Sequence, residues 1–180
     1  MNIVLRKANL DDRPAIARLI GLSARGLSRE DYSEEQIEGA IASVFGVDSD
    51  LIHDGTYFVA EAPGVLVGCG GWSKRRTLFG GDQAAGRESA ELDPGCEAAR
   101  IRAFFVHPEW ARQGIGRALL ERCEAEAQAN GFRSLELMAT LPGLKLYQAL
   151  GYVGSERIAY DPGGGVSIDF VPMRKDLPER

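Results

Sequence analysis

Apolar residues recur along this chain with two different periods, and the changes of period mark its elements. Residues 3–7 alternate as a short strand. Asp11-Asp12-Arg13-Pro14 then offers a helix cap with proline in the first turn, and Ile16, Leu19 and Ile20 share one face of a helix running to about Ala24. Ser33-Glu34-Glu35-Gln36 spells a capping box, after which Ile37, Ala40, Ile41 and Val44 continue an amphipathic helix to near Gly46. Residues 56–61 and 65–72 are strand-like, and Ala62-Pro63-Gly64 between them is short enough to force an antiparallel hairpin.

The pattern stops at Lys74. Residues 74–98 are rich in Gly, Asp, Glu and Ala without periodicity, and a loop of that length inside a domain is usually functional or mobile. They read as an insertion over a site. Regularity returns with a strand at 99–106 ending before Pro108, and with a helix at 114–130 on which Ile115, Leu119, Cys123 and Ala127 align before Gly131. A strand at 134–139, a short helix at 142–150 closed by Gly151, and a hairpin of 152–160 with 166–173 around Asp161–Gly165 complete the chain.

This order predicts an α+β fold, one domain over residues 1–180 with a mixed, mostly antiparallel sheet. The succession of strand 99–106, helix and strand 134–139 requires one parallel pair with a right-handed crossover.

Composition narrows the function classes. The 180 residues, 44% hydrophobic and 26% charged, are enough for one self-sufficient core. A net charge of −5 argues against a general nucleic-acid binder, which needs a basic face. Three scattered cysteines without CxxC spacing and two histidines suggest neither a disulfide framework nor a metal site. No apolar run reaches membrane-spanning length and none near the start forms a signal-peptide core, so no membrane partner and a cytoplasmic setting are expected.

One short segment carries a chemical conflict. Arg112-Gln113-Gly114-Ile115-Gly116-Arg117 joins the first parallel strand to its helix. Each glycine inside a helix costs roughly 0.5–1 kcal/mol, and cations in the first turn oppose the dipole by a further ~0.3–1 kcal/mol. A bound anion removes the conflict, because backbone N–H groups can approach phosphate oxygens at Gly114 and Gly116 while Arg112 and Arg117 add charge-assisted bonds. A Walker loop is excluded for want of Gly-Lys-Ser/Thr, and the dinucleotide fingerprint would need glycine where Leu119 stands.

Residues 101–120, with Leu146-Tyr147-Gln148-Ala149-Leu150-Gly151-Tyr152 behind them, resemble the GNAT superfamily of N-acetyltransferases, and the element order matches over nearly the whole chain. The resemblance implies acetyl-CoA as co-substrate, no metal, and a primary amine of a small molecule or a protein as acceptor; homodimers are common among members. It implies that the amides of the turn Arg112, Gln113, Gly114, Ile115, Gly116 and Arg117 hold the coenzyme A pyrophosphate. It also places the pantetheine arm on the backbone of Phe105 and Val106, where the two parallel strands splay. Ala111 stands where the family usually has Arg or Gln, and Leu141-Pro142-Gly143 replaces a common asparagine.

Acetyl transfer to an amine needs a base for the ammonium and an acid for the departing thiolate. By the same resemblance Tyr147 is the acid, and Glu136 on the strand 134–139 is the candidate base, with Glu61 or a water chain as alternatives. Phe104 and Phe105 read as core, Trp72 as either pocket wall or core, and Lys74-Arg75-Arg76 as a solvated basic patch that could steer an acidic acceptor. The competing reading in another class is a non-catalytic acyl-CoA sensor, which would have no use for Tyr147 as an acid.

Overall fold

The computed structural model describes residues 2–162 and 165–179. Its elements are β1 (Val4–Lys7), α1 (Arg13–Leu27), α2 (Glu34–Ser43), α3 (Ser49–Asp54), β2 (Tyr57–Ala62), β3 (Val65–Ser73) and β4 (Ala99–Val106), followed by α4 (Ile115–Ala129), β5 (Ser134–Thr140), α5 (Leu144–Ala149), β6 (Ile158–Tyr160) and β7 (Ile168–Asp176). Seven strands form one sheet in the order β1-β2-β3-β4-β5-β7-β6, in which only β4 and β5 run parallel.

The sheet is covered on both faces. Along β2, Phe58, Ala60 and Ala62 pack with α4, whereas Tyr57 and Val59 pack with α1, α2 and α3. Period-two alternation therefore feeds two cores from one strand, which is why β2 reads as a nearly continuous apolar run. On the α4 side, Leu119, Leu120, Cys123 and Ala127 are fully buried. Ile16, Leu19 and Ile20 of α1 seal the opposite side.

Local signals locate most ends. Ser33 caps α2 and Gln36 returns the bond to the Ser33 backbone, closing the expected box. Asp12 behaves differently from expectation. It makes no cap bond to α1 but accepts from the Asn9 amide and pairs with Arg6, returning the bond in a 3-10 turn, Leu10–Asp12, that Asn9 caps and that precedes the helix. The short helix α3 was not predicted. Asp48 caps it through the Leu51 amide, and Gly55 at φ 72° ends it after 6 residues, too few for a periodicity to show. The stretch expected as a strand at 152–160 holds only a bridge from Val153 to Arg174 and the 3 residues of β6. Of the turn expected around Asp161–Gly165, Gly163 and Gly164 lie outside the described residues.

The segment 74–98 has no helix and only an isolated bridge, Arg75 with Glu91. It is nonetheless fastened, where the sequence suggested a loose cover. Arg75 holds Asp54 through two bonds of 2.7 and 2.8 Å, and Arg87 reaches Asp48 at 3.0 Å and Asp50 at 2.9 Å. These pairs replace the hydrophobic periodicity that regular elements use.

Candidate active site

The β4–β5 pair is registered only through Ala99 with Leu135 and Arg100 with Glu136; beyond that the strands separate. Two features of β4 separate them. Against β3, the chain advances from Gly71/Arg102 to Cys69/Phe105, three residues on β4 against two on β3, so β4 carries a bulge. Ala103 sits in that bulge at φ 55°, a left-handed conformation that costs a non-glycine residue ~1–2 kcal/mol. Its carbonyl is held by the Tyr57 hydroxyl at 3.3 Å and by the Cys69 thiol at 3.6 Å, bonds that fix the distorted backbone.

The opening between β4 and β5 is a cleft lined by residues that belong to the cores on both faces of the sheet. Ile101, Leu137 and Tyr147 line it from the α4 side, while Phe45, Phe105 and Phe170 line it from the other. Leu78, Phe79 and Gly80 of the segment 74–98 form part of its wall.

Beside the cleft, α4 begins without a cap. Gly114 stands at φ 84°, no side chain bonds the first-turn amides, and no acidic residue lies in that turn. A 15-residue helix thus presents orphan N–H groups and the positive end of its dipole. Arg112, also left-handed at φ 60°, and Gln113 are exposed around this end. A side-chain carbon at Gly114 would meet nothing within 4 Å, so the space in front of the amides is open. Those donors fit an anion such as a pyrophosphate.

The six residues of the turn do not act alike. Ile115 is buried, and its methyl packs where Gly68 of β3 leaves room: a Cβ there would stand 2.6 Å from Ile115 Cγ2. Gly116 is needed for packing as well, since a Cβ would come within 3.0 Å of Leu146 Cδ2 on α5. Arg117 leans down its helix to Glu121 at 3.0 Å, with both side chains more than half exposed. Arg112, Gln113, Gly114 and Arg117 are exposed, and of these Arg117 is engaged by Glu121.

Tyr147, on α5, is 8% exposed and lies edge-on to Tyr152 with ring centroids 5.8 Å apart. Burial, with a smaller contribution from Cys123, pushes its ionisation well above the usual tyrosine range, so the hydroxyl keeps its proton. Leu144 and Leu150 pack against the core beneath α5, leaving the Tyr147 ring on the cleft wall.

Glu136 is placed elsewhere. It sits at the closed end of the parallel pair, bonded to Arg100 at 2.7 Å and Arg174 at 3.0 Å, and does not line the cleft. The correction has a simple cause: β5 alternates, so Leu137 turns to the α4 side while Glu136 meets arginines from both neighbouring strands. Glu61 likewise pairs with Arg6 at the β1 edge. Trp72 belongs to the α4-side core, 2% exposed, with its indole N–H on Glu126 at 3.3 Å. Lys74, Arg75 and Arg76 are each committed to a carboxylate, Glu91, Asp54 and Glu97 respectively, so they form no free basic patch.

Two features went unread in the sequence. Ser23 of α1 is buried and its Oγ accepts from the Val106 N–H at 3.2 Å, at the end of the splayed strand. Arg102, 4% exposed, pairs with the fully buried Asp48 and donates to the Thr77 carbonyl at 3.0 Å and to that of Gly80, tying the cleft wall to β4. Burial lowers the Arg102 ionisation, opposed by the Asp48 charge. Nothing local marks either residue, because both interactions join distant segments.

Comparison with known proteins agrees with this geometry. Among curated proteins no sequence matches the chain. Solved structures of similar fold include a GCN5-related N-acetyltransferase from Rhodopseudomonas palustris, with 22% identity, TM-score 0.73 and coverage of 98% of this chain and 97% of that one. The PaiA N-acetyltransferase of Thermoplasma acidophilum, solved in complex with coenzyme A, gives 18% identity, TM-score 0.66 and coverage of 98% and 100%. A GNAT phosphinothricin acetyltransferase from Sinorhizobium meliloti, solved with acetyl-CoA, gives 21%, 0.63 and coverage of 98% and 89%. The model of the acetyltransferase (GNAT) domain matches residues 53–154, more than half of the sequence and all of the splayed strands, the uncapped helix and Tyr147. The chain belongs to the GNAT acetyltransferase family.

Proposed function

We propose that this protein transfers an acetyl group from acetyl-CoA to a primary amine, with Tyr147 assisting departure of the thiolate. The observation that carries the reading is an uncapped helix start that packs, at Gly116, on Leu146 of α5 and Val106 of β4, the elements that carry the Tyr147 ring and the splay. The free amides of α4, with Arg112 and Gln113, hold the pyrophosphate; Gly116 and Ile115 shape that turn through packing. The half-buried end of β4 at Phe105 and Val106 meets the pantetheine arm. There the Val106 N–H is already satisfied by Ser23, so the hydroxyl rotates away or shares the donor when a carbonyl arrives.

In the reaction the amine nitrogen attacks the thioester carbonyl, the carbon–sulfur bond breaks, the nitrogen loses a proton and the sulfur gains one. The raised ionisation of Tyr147 suits a hydrogen-bond donor to sulfur as charge builds there. Since no carboxylate lines the cleft among the described residues, the amine proton leaves to solvent at the cleft mouth. The segment 74–98 supplies the acceptor side through Leu78, Phe79 and Gly80.

Tyr147→Phe tests the assignment. It retains the ring and is expected to lower single-turnover acetylation by ~10²–10⁴-fold with acetyl-CoA affinity unchanged. A wild-type rate would make Tyr147 a packing residue. Acetyl-CoA binding with no amine turned over by the unaltered protein would favour a sensor.

A further inference from the structure

The cleft wall on the α1–α3 side is built from aromatic rings drawn from four separate parts of the chain. Phe45, just after α2, lies edge-on to Phe105 of β4 at 5.5 Å and tilted to Phe170 of β7 at 6.3 Å. Phe79 of the segment 74–98 closes the group, 5.7 Å from Phe170 and backed edge-on by Tyr160 at 4.9 Å. These rings do not merely fill a core, because Phe45, Phe79, Phe105 and Phe170 all border the cleft.

Charge is nearly absent from the same surface. Among the described residues, the ionisable side chains lining the cleft are Arg102 and Tyr147. Tyr147 is neutral, and the Arg102 guanidinium is spent on Asp48 and on the Thr77 and Gly80 carbonyls. An anionic acceptor therefore finds no free cation, and a second ammonium finds no carboxylate. Either would lose its hydration shell without gaining a counter-charge. An uncharged ring or alkyl chain loses nothing of the kind and gains stacking and apolar contact.

We infer that the acceptor is a small primary amine carried on an uncharged aromatic or aliphatic body, the body lying against the wall formed by Phe45, Phe79, Phe105 and Phe170 with the amine directed at the splay between β4 and β5. This deepens the acetyl-transfer reading and rests on it for the word acceptor. It excludes polyamines, acidic amino acids and multiply charged aminoglycosides as preferred substrates.

The test uses the intact protein, acetyl-CoA and five amines: 2-phenylethylamine, tryptamine, methylamine, spermidine and glutamate. The kcat/KM for the two aromatic amines should exceed that for each of the others by at least about tenfold, the scale that apolar pockets achieve. Phe79→Leu and Phe79→Ala should raise the aromatic-amine KM by about tenfold or more, while acetyl-CoA affinity by isothermal titration stays unchanged. Leucine keeps most of the volume and guards against a folding defect in the alanine variant. Turnover of spermidine or glutamate equal to or better than that of 2-phenylethylamine overturns the inference, as does an unchanged KM in both variants. Should acetyl-CoA itself fail to bind, the acetyl-transfer reading falls separately. Direct titration of 2-phenylethylamine against spermidine then decides the cleft: preference for the aromatic amine sustains the ligand class, and its absence overturns it.

Discussion

Arg102 and Asp48 form an ion pair in which both side chains are withdrawn from solvent, 2% and 0% exposed. The pair joins the bulged strand β4 to the cap of α3, and Arg87 reaches into it from the segment 74–98. Removing one partner of such a pair leaves a buried charge without compensation, at a cost of about 3–5 kcal/mol. Asp48→Ala should lower the denaturant midpoint accordingly and increase amide exchange at residues 77–81. A loss within about 0.5 kcal/mol, the scale of ordinary surface substitutions, would show that the pair does not anchor the cleft wall.

The two glycines of the α4 turn should separate by phenotype. Gly116 faces Leu146 at 3.0 Å, so Gly116→Val overpacks α4 on α5 and should destabilise the fold by about 1–3 kcal/mol. Gly114 faces open space at φ 84°, so Gly114→Val carries backbone strain of ~1–2 kcal/mol and places its branched side chain in front of the free amides. Acetyl-CoA titration should find the Gly114 variant weakened well beyond its stability loss. Equal binding by a folded Gly114→Val protein would move the pyrophosphate site elsewhere.

Glu136 serves the sheet, tied to Arg100 and Arg174 at 36% side-chain exposure. Glu136→Gln should cost about 0–1 kcal/mol of stability. Its single-turnover rate should stay near wild type, whereas loss of a general base lowers the rate by ~10²–10⁴-fold. A hundredfold fall, on the order expected for a lost base, would restore Glu136 as the proton acceptor.

Alkaline pH should unfold the protein through groups that burial keeps protonated. The Cys69 thiol is pushed from 9.0 to about 12, and Cys123, Tyr57 and Tyr147 are raised as well, chiefly by burial. Above the ordinary thiol value the unfolded chain binds fewer protons than the native one, so stability falls as pH rises. The decline starts near the unfolded thiol value and continues, for Cys69, to about 12. Each fully engaged group contributes about 1.4 kcal/mol per pH unit. Urea midpoints in this window should show the slope, and Cys69→Ala should reduce it; identical slopes in the two proteins would count against a buried, protonated thiol.

The sequence by itself determined the elements that local rules govern. The capping box at Ser33, the strands at 99–106 and 134–139 and the stripe Ile115, Leu119, Cys123 and Ala127 are each written within a few residues, and all recur in the structure. The helix start at Gly114 was legible for the same reason, because glycine and arginine there contradict what a helix otherwise wants. Tertiary structure decided what depends on partners far along the chain. Whether Glu136 faced a cleft or two arginines turned on strands 36 and 38 residues away. Ser23 met Val106 across 83 residues and Arg87 met Asp48 across 39, so neither could be read locally. The aromatic wall is the clearest instance: Phe45, Phe79, Phe105 and Phe170 come from four separate segments, and only the folding of a splayed sheet brings their rings to one cleft.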